Sequence, residues 1–122
     1  MFMNNKQIGT SFEKEFCERL AAYGWWVHFM TPTKGGSQPC DVIACKNGVP
    51  LLIDCKTCED KVFRLSRLED NQKLAFDRFI KTGNTNCWIA IKHDGDIYGV
   101  SYQMLSRLGK VELSEFTKWI FR

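Results

Sequence analysis

Asn47-Gly48 stands between two short apolar runs, and this dipeptide constrains the fold more than any other feature of the chain. Asn-Gly favours a two-residue turn in which both central residues take positive φ, the turn whose twist matches that of paired strands. The runs Asp41-Val-Ile-Ala-Cys45 and Val49-Pro-Leu-Leu-Ile-Asp-Cys-Lys56 are therefore expected to pair as a hairpin. Side chains alternate along a strand, so Asp54 and Lys56 share one face while Ile53 and Cys55 share the other. Asp41 opens the first run and is brought to the same end of the sheet as Asp54. Carboxylates that converge repel each other and are costly to bury without a cation. A hard, oxygen-binding ion such as Mg²⁺ suits them, which points to metal-assisted chemistry on phosphate.

The rest of the chain reads as elements around this hairpin. Residues 8–23 repeat apolar positions at helical spacing, and Gly24 supplies a stop. Trp25 to Met30 is rich in aromatic and β-branched residues and reads as a buried strand. Two prolines and two glycines mark 31–39 as a loop. A second helix is expected over 66–81, with Ser66 as N-cap and Glu69 completing a capping box. Strands follow at 86–92 and 97–101 around the turn His93-Asp94-Gly95-Asp96, and then two short helical segments at about 102–108 and 113–121. The order α-β-β-β-α-β-β-α predicts an α/β fold, with a mixed central sheet of about five strands flanked by helices.

At 122 residues the chain is long enough for one core, and residues 1–122 are expected to form one domain. No stretch approaches the length of a membrane span, and Met-Phe-Met-Asn-Asn-Lys lacks the apolar run of a signal peptide, so a cytoplasmic protein is expected. The net charge of +3 is uneven: residues 61–81 carry six Lys or Arg against three Asp or Glu. A basic helix beside an acidic centre suits a metal site next to a polyanion; an ordinary solvated helix face is the competing reading. In a cytoplasmic chain the six cysteines read mainly as buried thiols, although Cys55-x-x-Cys58 with Cys40 and Cys45 upstream is also spelled like a zinc site.

Two polar residues fall where apolar ones belong. With about 100° per residue and Phe12 as origin, Glu13 lies inside the arc spanned by Ile8, Phe16, Leu20 and Cys17, whereas Glu15 and Glu18 lie outside it. It either pairs with a lysine at the edge of the stripe or points at the same cation as Asp41 and Asp54. Gln72 stands between Leu68 and Phe76 in the second helix, where a buried amide needs partners. It either caps a strand edge or faces the acidic site. His28 reads as a core histidine and His93 as a solvated one.

The ordered set Gly9-Thr-Ser-Phe-Glu13, Pro39-Cys-Asp41 and Asp54-Cys-Lys56 resembles the PD-(D/E)XK nuclease superfamily, and among its members the small Holliday junction resolvases of the archaeal and RecU types. The resemblance covers about residues 6–92. It implies a restriction-endonuclease-like core and metal-dependent hydrolysis of DNA phosphodiesters. By it, Asp41 and Asp54 would ligate Mg²⁺ or Mn²⁺ with the backbone carbonyl of Cys55. Glu13 would complete the shell directly or through water, and Lys56 would orient the attacking water and offset charge on the phosphate. Lys34, Ser37 and Gln38 would touch the DNA backbone, and Gln72 would stand behind the ligands. The proline lies two residues before Asp41 instead of next to it, a departure that small resolvases resembling this chain tolerate.

The substrate expected on this resemblance is branched, four-way DNA, cut by a homodimer whose twofold symmetry presents two matched sites. Phe116, Trp119, Ile120 and Phe121 suit either a dimer surface or closure of the core. A nicking or double-strand endonuclease of phage replication or defence would share the same site. A DNA-binding module with structural carboxylates, or a zinc-stabilised domain, would not be an enzyme.

Overall fold

The computed structural model describes the backbone of residues 5–30 and 38–122 and the side chains of 11–30 and 38–122. Lys34 and Ser37 lie outside the described residues. In chain order the elements are α1 (Asn5–Ala22), β1 (Trp26–Phe29), β2 (Val42–Lys46), β3 (Val49–Thr57), β4 (Val62–Arg64), α2 (Asp70–Lys81), β5 (Cys87–His93), β6 (Asp96–Ser101), α3 (Tyr102–Leu108) and β7 (Lys110–Glu112). Five strands form one mixed sheet in the order β1-β2-β3-β5-β6, while β4 and β7 pair separately. This is the α/β, restriction-endonuclease-like architecture expected from the sequence.

The hairpin turns at Asn47-Gly48 with φ of 51° and 78°, and β5 and β6 turn in the same way at Asp94-Gly95 with φ of 50° and 83°. The first turn sets a register in which Val42 faces Ile53 and Lys46 faces Val49. β3 and β5 are parallel, with Asp54 beside Ile89 and Lys56 beside Ile91. Parallel neighbours need a crossover, and α2 lies within it. β3 is therefore central, and α2 is tied to the strand that carries Asp54 and Lys56.

Each sheet face has its own core. On one face Phe12, Phe16 and Leu20 of α1 pack on Val42, Ala44, Ile53, Cys55 and Ala90. On the other, Phe76 of α2 and Leu105 of α3 pack on Leu52, Ile89, Ile91 and Val100, joined by Phe63, Leu68 and Leu113. Phe16, Phe63 and Phe76 are fully buried, and each contributes about 2–3 kcal/mol by leaving water.

Four local expectations are corrected. Residues 65–67 form a 3₁₀ turn and Leu68 is extended (φ −86°, ψ 138°), so the second helix starts at Asp70 with Glu69, and not Ser66, as its N-cap. Leu68 is buried, and its extended backbone interrupts a helix that propensity would have run from Ser66. Residues 113–121 do not form a helix. After a 3₁₀ turn at Leu113–Glu115 the chain runs extended beside β6, with Gly99 N–H donating to the Thr117 carbonyl (3.2 Å) and Trp119 N–H to the Ile97 carbonyl (2.8 Å). The third concerns His28, which is exposed on the edge strand and stacks on Trp26 with ring centroids 6.1 Å apart. Finally, His93 is half-buried, with Nδ1 2.8 Å from the Cys58 carbonyl.

The last segment mainly closes the core. Trp119 meets Phe16 edge-on at 4.9 Å, and Phe121 lies 5.6 Å from Phe16, whereas Ile120 stays exposed. The six cysteines are free thiols: Cys40, Cys55, Cys58 and Cys87 are buried, Cys17 is half-buried and Cys45 is exposed. Among the described residues no three His, Cys, Asp or Glu side chains form a group that could hold a metal, so the zinc-like spelling does not assemble.

Candidate active site

The site lies where β2 begins and β3 approaches its end. Asp41, immediately before β2, and Asp54 are both buried among apolar strands. The backbone fixes Asp41 firmly: its N–H donates to the Ile53 carbonyl (3.1 Å), and its carbonyl accepts from Met30 N–H (2.8 Å). Its side-chain Oδ2 accepts from Cys55 N–H at 2.9 Å. One residue of β3 thus anchors the neighbouring carboxylate through its own peptide group.

Asp54 is fully buried and held from two sides. Gln72 Nε2 of α2 donates to Oδ1 at 2.7 Å. Lys56 Nζ lies 3.1 Å from Oδ2, an ion-pair distance that lacks hydrogen-bond geometry, so Oδ2 has no hydrogen-bond partner among the described residues. A buried carboxylate oxygen with no hydrogen-bond partner is costly, and Oδ2 is offset here only by the Lys56 ammonium. Burial, then the charge of Asp41, drive the Asp54 pKa well above the usual carboxylate range, against the opposing pull of Lys56.

Glu13 comes from α1, on the opposite face of the sheet from Gln72. It is half-buried, and its pKa is pushed up to about 7, first by desolvation and then by Asp41, with Lys56 acting to lower it. Glu13 therefore lies near enough to Asp41 and Lys56 for their charges to act on it. It brings a third carboxyl near Asp41, although among the described residues the three do not close into a ready-made three-ligand cage.

The donors at this point are oxygens, with one lysine as the nearby cation. Asp41, Asp54 and the Cys55 carbonyl are the hard ligands that a small divalent ion prefers, and the unpartnered Oδ2 is where an added positive charge would be most stabilised. The residues fit such an ion.

Gln38, three residues before Asp41, is also placed. Its backbone carbonyl accepts from Asn71 Nδ2 at 2.9 Å, and its side-chain Oε1 is buried without a hydrogen-bond partner among the described residues. Asn71 was not anticipated, because a polar residue in the first turn of a helix carries no distinguishing signal. Lys92, near the end of strand β5, has no distinguishing signal either; it pairs with Glu15 at 3.3 Å and ties α1 to β5.

The model of the archaeal Holliday junction resolvase family (Hjc) matches residues 4–117, nearly the whole chain. The chain belongs to that family. The crossover junction endodeoxyribonuclease Hjc of Methanocaldococcus jannaschii is 32% identical over 102 residues, covering 84% of this chain and 71% of the relative. The fold is similar to that of Hjc from the hyperthermophile Archaeoglobus fulgidus, itself described as a Holliday junction resolvase. That match has a TM-score of 0.67 at 20% identity and covers 87% and 88% of the two chains. As a member of this family the chain is a structure-specific endodeoxyribonuclease that depends on a divalent metal.

Proposed function

We propose that this protein resolves four-way DNA junctions as a homodimer, with Mg²⁺, or Mn²⁺ in its place, held by Asp41, Asp54 and the backbone carbonyl of Cys55. The observation that carries this reading is Asp54 itself: a fully buried carboxylate, gripped at Oδ1 and left open at Oδ2 beside Lys56. The ion, when bound, supplies a polarised water and neutralises charge on the phosphate.

The remaining work falls to the chain. Cys55 N–H holds Asp41 so that its other oxygen is free to face the ion. Glu13, with its raised proton affinity, is suited to hold a water or to take a proton beside Asp41. Lys56, partly exposed beside Asp54, would orient the attacking water and offset the charge that develops on the phosphate. Gln38, with Lys34 and Ser37 before it, would touch the DNA backbone, where phosphate oxygens accept from amide, ammonium and hydroxyl donors.

Two matched cuts across a junction call for twofold symmetry. Support for a dimer comes from an exposed strip on the α2 side of the sheet, where Trp26 stands opposite Cys45, next to His28. Among the described residues no helix is long and apolar enough to cross a membrane, and we place this one-domain enzyme with DNA in the cytoplasm.

The test is single-turnover cleavage of a labelled four-way junction with Mg²⁺, Mn²⁺ or EDTA, alongside junction binding. E13Q, D41N and K56M should each lose at least about 100-fold in rate while binding the junction within a few-fold of wild type. A variant that cuts at the wild-type rate removes its residue from the proposed mechanism.

A further inference from the structure

Gln72 is 6% exposed, and both ends of its amide are used. Nε2 donates to Asp54 Oδ1 at 2.7 Å, while Oε1 accepts from the backbone N–H of Glu69 at 3.0 Å. An amide can rotate by 180° about its last bond, and the two orientations differ only in which end is donor and which acceptor. Here the two neighbours demand the same orientation. A backbone N–H accepts nothing, and an ionised carboxylate, the form that binds a metal, donates nothing. Glu69 is the N-cap of α2, so its N–H has no partner within that helix.

We propose that Gln72 is a positioning residue whose amide is locked by the N–H of Glu69, so that the start of α2 sets Asp54 with Oδ1 occupied and Oδ2 presented to the metal. The inference rests on the metal-binding reading of Asp54 given above. It assigns a role to a backbone N–H that touches neither DNA nor metal. It also explains why a glutamine sits in the apolar stripe of α2, where a leucine would pack more cheaply. Asn71, the preceding residue, holds the Gln38 carbonyl, so two adjacent residues of one helical turn brace the segment before Asp41 and the carboxylate of Asp54.

Glu69 allows an unusually clean perturbation. Its φ of −75° is that of proline, and Leu68 before it is extended, which proline tolerates in the preceding residue. The Glu69 carbonyl, which accepts from Gln72 and Lys73 N–H, is kept. Glu69→Pro therefore removes the side chain and the N–H, whereas Glu69→Ala removes the side chain alone.

The experiment is Mg²⁺ titration by calorimetry on the full chain without DNA, at a temperature where every variant is folded by circular dichroism. Junction kcat at saturating Mg²⁺ is measured beside it, with Gln72→Leu as the limiting case. The Mg²⁺ dissociation constant should stay within twofold of wild type in E69A, and should rise threefold to tenfold in E69P and at least as far in Q72L. At saturating Mg²⁺, kcat in E69P should recover most of the wild-type value. Equal Mg²⁺ affinities in E69A and E69P would overturn the lock and show that the charge of Asp54 alone orients the amide, leaving the metal reading intact. A wild type that binds no Mg²⁺, or a D54N variant that binds it equally well, would overturn the metal reading and the lock with it.

Discussion

Replacing Asp54 by asparagine separates what this side chain does for the fold from what it does for the metal. The two are nearly isosteric, and asparagine keeps an oxygen to accept from Gln72 Nε2. The ion pair to Lys56 is lost, but the Lys56 side chain retains 18% exposure and regains hydration, while the cost of a fully buried charge disappears. These terms oppose one another, so metal-free D54N should lie within about 1 kcal/mol of wild type. Metal changes the balance. At tenfold excess over its dissociation constant, a ligand of the folded state adds about 1.4 kcal/mol of stability. For a chain of this size that is about 5 °C in Tm. Thermal unfolding with Mg²⁺ and with EDTA should show this gain in wild type and less than about 1 °C in D54N. The same Mg²⁺-dependent gain in both proteins would refute the reasoning. So would a metal-free D54N that loses more than about 3 kcal/mol, since the carboxylate would then be structural.

Two further predictions concern the charge at the site and the packing of the last segment on β6. A carboxyl whose folded pKa is raised stabilises the fold below its unfolded value near 4.5 and loses that contribution as pH rises through about 7. Metal-free Tm should therefore fall between those values, Glu13→Gln should flatten part of the fall, and Mg²⁺ binding near pH 6 should release fewer protons from the variant by calorimetry in two buffers. A Cβ built on Gly99 meets Trp119 Cε3 at 3.0 Å, so Gly99→Ala should push the Trp119 segment off β6, at a cost of about 1–3 kcal/mol with a red-shifted tryptophan emission. Unchanged stability and emission would show that the Trp119 ring yields freely.

What the sequence discloses here follows the range of the forces involved. The hairpin and the shared face of Asp54 and Lys56 follow from a two-residue turn and a two-residue period, both local. Glu13 is visible because a charge inside an apolar helical arc has no cheap local explanation. The start of α2 is different, because Ser66-x-x-Glu69 and Glu69-x-x-Gln72 both spell a capping box. Only the burial of Leu68 in an extended conformation selects the second. The final segment reads as helix because its apolar residues are dense, yet Trp119 and Phe121 both reach Phe16 from alternate positions of an extended chain. The three-residue strands β4 and β7 exist through their pairing across the sequence, for example Phe63 with Val111, 48 residues on, and have no local signature. His28 illustrates the same limit. A strand sequence does not say which of its faces is covered, and on edge strand β1 the face carrying Trp26 and His28 is open.

In the proposed homodimer each protomer's buried carboxylate pair makes one of two symmetric cuts in branched DNA. The most direct measurement maps incision sites on a four-way junction, a linear duplex and a single strand, each with Mg²⁺ and with EDTA, for wild type and D54N. Paired, symmetric nicks are expected in the junction alone, absent in EDTA and absent in D54N, with junction binding retained by the variant. Junction cleavage that survives Asp54→Asn, or cutting of linear duplex as readily as of junction, would contradict the proposal.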